Sequence, residues 1–142
     1  MKRYEILEHK ADLKIRAFGK TKEELFLNMM MGMTDSQKPE IKEEARVERK
    51  IRIQSLDLPS LLVDFLSEVL SLGQINKETY TDVRFKKFSP STNSEQAYEP
   101  ECEILGQEVK SFGEDIKAVT YHELDIRQRE DGTWEATVLF DI

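Results

Sequence analysis

The feature that most constrains this fold is an apolar segment whose hydrophobic side chains would point almost all round a helix. Its apolar members are Leu61, Leu62, Val63, Phe65, Leu66, Val69 and Leu70. Pro59 would lie in the first turn, where backbone N–H groups have no partner within the helix, so the N–H that proline lacks is not needed there. Gly73 suits a C-terminal cap. A helix that is apolar on nearly every side has to be buried. We therefore expect the rest of the chain to supply a sheet that packs around it.

Alternating polar and apolar residues predict that sheet. Period-two patterns predict strands over residues 4–9, 13–18, 45–54, 80–88, 101–109, 124–127 and 134–142. Asp131-Gly132 predicts a hairpin turn before the last strand. Residues 34–44 and 89–99 have the composition of connections, and residues 116–122 fit either a short helix or a strand.

A second helix is predicted over Lys22–Met33. Thr21 and Glu24 fit a capping box, in which the Thr21 hydroxyl accepts from the Glu24 amide and the Glu24 carboxylate accepts from the Thr21 amide. Leu25, Met29 and Met33 form one stripe of this helix. Methionines at such spacing favour a core role, with an adaptable binding surface as the alternative.

Length and composition limit the classes of protein. The chain has 142 residues, enough for one domain with a core, and we expect a single domain over residues 1–142. No apolar run is expected to span a bilayer and no signal peptide is seen, so the sequence predicts a cytoplasmic protein. Cys102 is the single cysteine, which excludes an internal disulfide and a cysteine-rich zinc site and favours a buried apolar role.

The charge of the chain bears on nucleic-acid binding. The formal net charge is −7, a poor match for a phosphate backbone. Residues 46–52 carry Arg46, Arg49, Lys50 and Arg52, but Glu48 interrupts them. A solvated sheet face is favoured there over a nucleic-acid patch, and any link to RNA is expected to run through a partner protein.

The last strand suggests a cation site. Its alternation runs to Ile142, which would place the terminal carboxylate one residue from the Asp141 side chain. Carboxylates that close either repel or share a cation. With Asp12 alongside, the ligands would all be oxygen, which suits calcium or magnesium. The alternative is that Asp12 is a turn residue and Asp141 merely ends a strand.

Four stretches together carry a family resemblance. They are His9-Lys10-Ala11-Asp12, residues 19–26, residues 116–122 and the closing Leu139-Phe140-Asp141-Ile142. In this order along the whole chain they resemble the archease family. The resemblance implies an α/β (α+β) fold with a mixed, mostly antiparallel sheet packed on two main helices.

The resemblance also implies a function. An archease is a non-enzymatic protein cofactor of the RNA ligase that joins tRNA halves in splicing, where it promotes guanylylation and multiple turnover of the ligase and broadens its nucleotide use. The metal site that the resemblance implies consists of Asp12, Asp141 and the carboxylate of Ile142, with calcium as the expected cation and magnesium as the alternative. One departure is Lys10, where the family commonly has threonine.

Other candidates have less specific roles. His9 and His122 fit ligands or a proton relay, but the absence of a surrounding cluster favours hydrogen-bonded structural roles. Lys117 and Tyr121 are candidate partner contacts. No nucleophile–base pair, phosphate loop or zinc spacing is found, so no catalytic residue is predicted. Two alternatives stay open: a metal-dependent hydrolase using Asp12 and Asp141, and a general chaperone of nucleic-acid-processing enzymes.

Overall fold

Seven strands and two helices make up the computed structural model, which describes residues 2–88 and 98–142. In chain order the elements are β1 (Tyr4–Leu7), β2 (Asp12–Gly19), α1 (Lys22–Ser36), β3 (Pro39–Arg52), α2 (Leu58–Asn76), β4 (Glu78–Lys86), β5 (Glu101–Phe112), β6 (Ala118–Gln128) and β7 (Trp134–Asp141). Residues 89–97 of the predicted 89–99 connection lie outside the described residues.

The strands form two antiparallel sheets. The first has the order β1-β2-β7-β6 and the second the order β3-β5-β4. Every described pairing is antiparallel. The predicted class, α+β with two main helices and mostly antiparallel strands, is confirmed. The structure adds that the strands divide between two sheets.

Helix α2 is central to the core, as its composition predicts. Phe65, Leu66 and Val69 are buried, and the helix packs on β4 and β6. By length and composition alone α2 could cross a membrane, contrary to the expectation that no apolar run is long enough. Because these apolar side chains contact the sheets, core packing accounts for that composition. Helix α1 packs on β2 and β4, and its Met29, Met30 and Met33 are fully buried, which confirms their core role.

The end of α2 differs from the prediction. Gly73 does not cap the helix, which runs on to Asn76 and ends at Lys77 in the left-handed conformation, with φ of 54°. The Lys77 amide donates to the Gly73 carbonyl. A Cβ added at Gly73 would lie 2.7 Å from the Glu78 carbonyl oxygen, so the glycine permits close packing of the helix on the start of β4.

The beginning of β3 also differs. The predicted connection over residues 34–44 is wrong, because α1 continues to Ser36 and β3 begins at Pro39. Lys38, with φ of 47°, makes the turn between them. The charged residues that suggested a loop lie on an edge strand, where charge is tolerated because one side faces solvent.

The capping box at α1 is half confirmed. The Glu24 amide donates to Thr21 Oγ1 at 3.1 Å, as predicted. The Glu24 carboxylate instead accepts from the Lys20 amide, at 3.1 Å, so the return bond is made one residue earlier than expected.

Arg49 lies between the apolar residues Val47 and Ile51 in the alternation of β3, and its charge is paired with a residue of β4. Its guanidinium makes two hydrogen bonds to the Glu78 carboxylate, at 3.0 and 2.8 Å, and the Tyr80 hydroxyl donates to the same carboxylate at 2.6 Å. The arginine bonds hold the pKa of Glu78 below its usual range. Burial is the main cause that raises the pKa of Tyr80. This trio therefore satisfies a buried charge between β3 and β4.

The ambiguous residues 116–122 contain no helix. Ala118 begins β6, which forms a hairpin with β7. Gly132, with φ of 90°, lies in the turn, as the Asp131-Gly132 pair predicts. This hairpin carries the end of the chain to the start of β2.

Candidate functional site

The two ends of the chain meet at one end of the first sheet. Asp12 begins β2 and Asp141 ends β7, and the two residues are directly opposite in the antiparallel register. Ala118, at the start of β6, is opposite Asp141 on its other side. The Lys117 amide donates to the Asp141 carbonyl at 2.7 Å, which holds the end of β7 in place. The structure thus brings together the two predicted aspartates.

The third predicted ligand is more exposed than expected. Ile142 lies just beyond β7, and 47% of its surface is exposed. The sequence pattern placed its side chain on the buried face, together with Phe140. Strand β7 instead ends at Asp141, one residue short of the predicted strand end, and Ile142 is about half exposed.

His9 lies between two carboxylates. Its Nδ1 is 3.4 Å from Asp12 Oδ2, and its Nε2 is 3.2 Å from Glu123 Oε2. The residues between His9 and Asp12 form a turn in which Ala11 has φ of 63°. His9 therefore orients Asp12 and joins it to the β6 side of the sheet.

Glu123 also belongs to this site, although the sequence patterns do not predict it. It lies in an irregular part of β6, where residues 121–124 are opposite Val138 alone. Glu123 has φ of 56°, and its Oε2 is 3.7 Å from Lys14 Nζ as well as close to His9. No turn residue marks this bulge in the sequence. The only signal was the ambiguous periodicity of residues 116–122.

The same bulge, residues 121–124, places two predicted candidates at the surface. Tyr121 is 58% exposed, and His122 is exposed, with its amide donating to Thr120 Oγ1 at 3.3 Å. His122 is not among the ion-pair contacts of Asp12 and Asp141 in the described residues. Lys10 and Lys117 are also exposed.

An open groove borders Asp12. It has a volume of about 670 Å³, and its lining includes Ile6, Leu7, Leu13, His9 and Asp12. Ile6 is half exposed. Apolar and charged groups therefore adjoin at this end of the first sheet, as is typical of a surface that contacts another molecule.

The chemistry of the site follows from its donors. Within residues 2–88 and 98–142, no three His, Cys, Asp or Glu side chains are arranged to hold a metal. Two side-chain carboxylates and a main-chain carboxylate remain as candidate donors. Like charges directly opposite each other on neighbouring strands are destabilising. Oxygen donors and this repulsion fit a hard cation such as calcium or magnesium.

A thiol nucleophile does not adjoin the aspartates. Cys102 is buried in β5 of the second sheet, which confirms its predicted core role. Burial raises the pKa of its thiol to about 12. The thiolate, which is the reactive form, is therefore scarce near neutral pH.

Comparison with known proteins shows the family of this chain. Residues 4–142 match the model of the archease protein family. The chain belongs to the archease family. It is 39% identical over 145 residues to the archease of Methanosarcina barkeri, with 99% of this chain and 97% of the relative covered. It is 34% identical to the archease of Thermococcus gammatolerans, with all of both chains covered.

Solved structures agree with this assignment. A solution structure of a Methanobacterium thermoautotrophicum protein matches all of both chains with a TM-score of 0.72 and 30% identity. The crystal structure of a Thermotoga maritima archease, described as a possible chaperone, covers 96% of this chain and 94% of its own, with a TM-score of 0.66 and 20% identity. The second likeness shows the archease fold alone. The sequence resemblance to the archease family is thus confirmed.

Proposed function

We propose that this protein is a non-catalytic activator of the RNA ligase that joins tRNA halves. The observation that carries the proposal is the family match over residues 4–142, with Asp12 and Asp141 meeting at one end of the first sheet. The Thermotoga maritima relative is described as a possible chaperone, which agrees with action on a protein partner. In this role the protein promotes guanylylation of the ligase, allows repeated turnover and broadens nucleotide use.

The proposed cation site consists of Asp12, Asp141 and the carboxylate of Ile142. Calcium is the expected ion and magnesium the alternative, because the donors are all oxygen. The bound ion supplies a positive centre that offsets the repulsion of the carboxylates. His9 orients the Asp12 side chain, and Glu123 orients His9. These residues thereby give the end of the first sheet one defined shape for the ligase to contact.

We infer that the cation contributes to this shape rather than to hydrolysis. Both ring nitrogens of His9 face carboxylates, Nδ1 at 3.4 Å from Asp12 and Nε2 at 3.2 Å from Glu123, which suits a residue that positions the Asp12 side chain. The protein is also inferred to act in the cytoplasm, where its ligase partner would work on tRNA.

A ligation assay tests the proposal. Catalytic amounts of ligase are given tRNA halves, GTP and a divalent cation, with and without this protein. We expect increased ligase guanylylation and more than one product per ligase molecule only when this protein is present. Product that stays at one per ligase with a stoichiometric amount of this protein would contradict the activator role.

Two controls separate the alternatives. The purified protein with calcium or magnesium should not hydrolyse phosphoesters by itself, and sustained turnover would favour the hydrolase. The protein should also leave the aggregation of unrelated nucleic-acid-processing enzymes unchanged. Protection of such enzymes would favour the general chaperone.

A further inference from the structure

The outer face of the second sheet carries an ordered set of charges. The antiparallel register places an acid of the central strand β5 between a cation of β3 and a cation of β4, twice in succession. We call these six residues the basic rows: Arg52, Glu101 and Lys86 in the first, and Lys50, Glu103 and Arg84 in the second. Each row therefore has one positive charge in excess.

The cations of the basic rows stand further into solvent than the acids. The side chains of Arg52 and Lys86 are 76% and 69% exposed, whereas those of Glu101 and Glu103 are 35% and 22% exposed. The Arg52 guanidinium donates to Glu101 and holds the pKa of that carboxyl below its usual range. Lys86 Nζ is 3.9 Å from Glu103 Oε1. A molecule approaching this face first meets ammonium and guanidinium groups.

The positive excess is local. The next row along the strands places Glu48 and Asp82 on either side of Leu105, so the sign changes within one row. Lys87, exposed at the end of β4, extends the positive end. In a chain of net charge −7, this is a concentrated anion-attracting surface.

We propose that the basic rows contact the phosphate backbone of RNA. Cations recur along each edge strand about every 6.8 Å, twice the rise per residue, so a backbone lying along the strands meets several in turn. Two of the four cations are arginines, whose guanidinium groups bind phosphate bidentately. The choice of RNA over other polyanions rests on the proposed function, because the partner ligase holds RNA.

The tertiary structure adds further cations beside those of residues 46–52. On β3 alone the cations are interrupted by Glu48, and that pattern favours a solvated face. Strand β4, about thirty residues later, adds Arg84 and Lys86 across β5. Four cations remain too few for tight binding of free RNA, but a partner that already holds the RNA raises its effective concentration at this face.

Direct binding is tested with a fluorescein-labelled single-stranded RNA, followed by anisotropy from about 50 to 200 mM salt. The test variant combines Lys50→Gln, Arg84→Gln and Lys86→Gln. The matched control combines Lys2→Gln, Lys20→Gln and Lys38→Gln, which are exposed and lower the net charge equally. We expect the test variant to bind roughly tenfold more weakly at the lowest salt, with a log–log salt slope shallower by about 2. The control should differ from the parent by less than twofold. Equal loss in the two variants would overturn the proposal.

A second variant changes binding in the opposite direction. Glu101→Gln with Glu103→Gln removes the two acids and leaves the cations, so RNA binding should tighten several-fold and the salt slope should steepen. Damage to the fold cannot produce such a gain. Unchanged or weaker binding by this folded variant would contradict a direct phosphate contact.

Two further measurements identify the polyanion and separate this inference from the proposed function. Polyglutamate of matched charge should bind more weakly than the RNA, and equal binding would overturn the assignment to RNA. With ligase present, the test variant should raise the KM for RNA halves several-fold and leave kcat unchanged. Failure of the parent to activate ligase would reject the proposed function alone, whereas anisotropy would still decide whether the basic rows bind RNA.

Discussion

Asp12 and Asp141 place two like charges opposite each other where the first sheet ends. Their Cα atoms are partners in the β2–β7 register, so their carboxylates share one small region of the surface. Like charges so placed repel, and on the Asp12 side His9 Nδ1 lies 3.4 Å from Oδ2. A cation held with modest affinity, roughly 10⁻⁴–10⁻³ M on the scale of weak calcium sites, would offset this repulsion.

The first prediction concerns these carboxylates. At a concentration about 100 times its dissociation constant, the cation should raise the free energy of unfolding by about 2.7 kcal/mol, which corresponds to a rise of roughly 10 °C in Tm. Asp12→Asn, Asp141→Asn and a short extension after Ile142 should each fold, lose most of this calcium-dependent rise and activate the ligase poorly. Thermal unfolding with and without calcium measures the effect. Asp115→Asn, at an exposed position, is the control and should retain the rise. A C-terminally extended protein that matches the parent in calcium binding and activation would refute the site.

The second prediction concerns the ion pair inside the second sheet. Glu78→Gln should destabilise the protein by about 2 kcal/mol at pH 7, less than a fully buried pair would cost, because the Arg49 side chain is 41% exposed. Since the folded protein lowers the pKa of Glu78, its stabilisation is present above the unfolded value of 4.5 and is lost as the pH falls below it. The difference between parent and variant should therefore shrink in acid. Urea unfolding across this range measures it, with Glu68→Gln, an exposed change on α2, as control. A difference independent of pH would contradict this account.

At the scale of elements, the β6 bulge is the irregular feature of the first sheet. Residues 121–124 occupy the space opposite one residue of β7, which moves Glu123 towards His9 and leaves Tyr121 exposed. Bulges of this kind often redirect side chains at functional sites. An exposed tyrosine is also among the residues that contribute most to protein interfaces.

The third prediction is that Tyr121 contacts the ligase. Tyr121→Ser should leave Tm within about 1 °C, because the side chain is largely exposed, and should weaken the apparent affinity for ligase by roughly 30-fold, as loss of an interface anchor does. A titration of activator at fixed ligase measures this. The control is Leu56→Ser, since Leu56 is 82% exposed before α2 and should tolerate the change in both assays. Equal activation by both variants would remove Tyr121 from the interface.

At the scale of the whole molecule, charge is divided between two faces. The carboxylate end of the first sheet is acidic, whereas the basic rows lie on the second sheet, and the chain as a whole is at −7. Long-range attraction to a polyanion is therefore weak even though one face is positive.

The fourth prediction is that free tRNA binds weakly. Its dissociation constant should exceed about 10⁻⁴ M at physiological salt, the weak end of non-specific binding by basic proteins. Lowering the salt from about 200 to about 50 mM should strengthen binding by no more than about 50-fold, because only the four cations of the basic rows are involved. Filter binding or anisotropy measures this without ligase. A micromolar dissociation constant at physiological salt would mean that RNA, rather than a partner protein, recruits this chain.

The sequence by itself predicted what depends on neighbours along the chain. Period-two alternation predicted the strands, the Thr21 hydroxyl predicted the start of α1, and Asp131-Gly132 predicted the last hairpin, because each is a contact within a few residues. The apolar residues on nearly every side of α2 predicted its burial, because that pattern too is visible within one short segment of the chain. The resemblance to the archease family added the overall fold, which the comparisons confirm.

Only the tertiary structure decided which remote segments meet. Nothing within β2 or β7 alone reveals that Asp12 faces Asp141, since a strand's pairing partner depends on the register of the whole sheet. The same holds for Glu123, which a bulge brings to His9, and for Arg49, whose charge is paired with Glu78, 29 residues later in the chain. Gly73 is a further example. From the sequence alone its role is a helix cap, but in the structure a side chain at this position would collide with the Glu78 carbonyl oxygen, which is why glycine is needed there. Local patterns record local energies, whereas sites are formed by contacts between residues far apart in the chain.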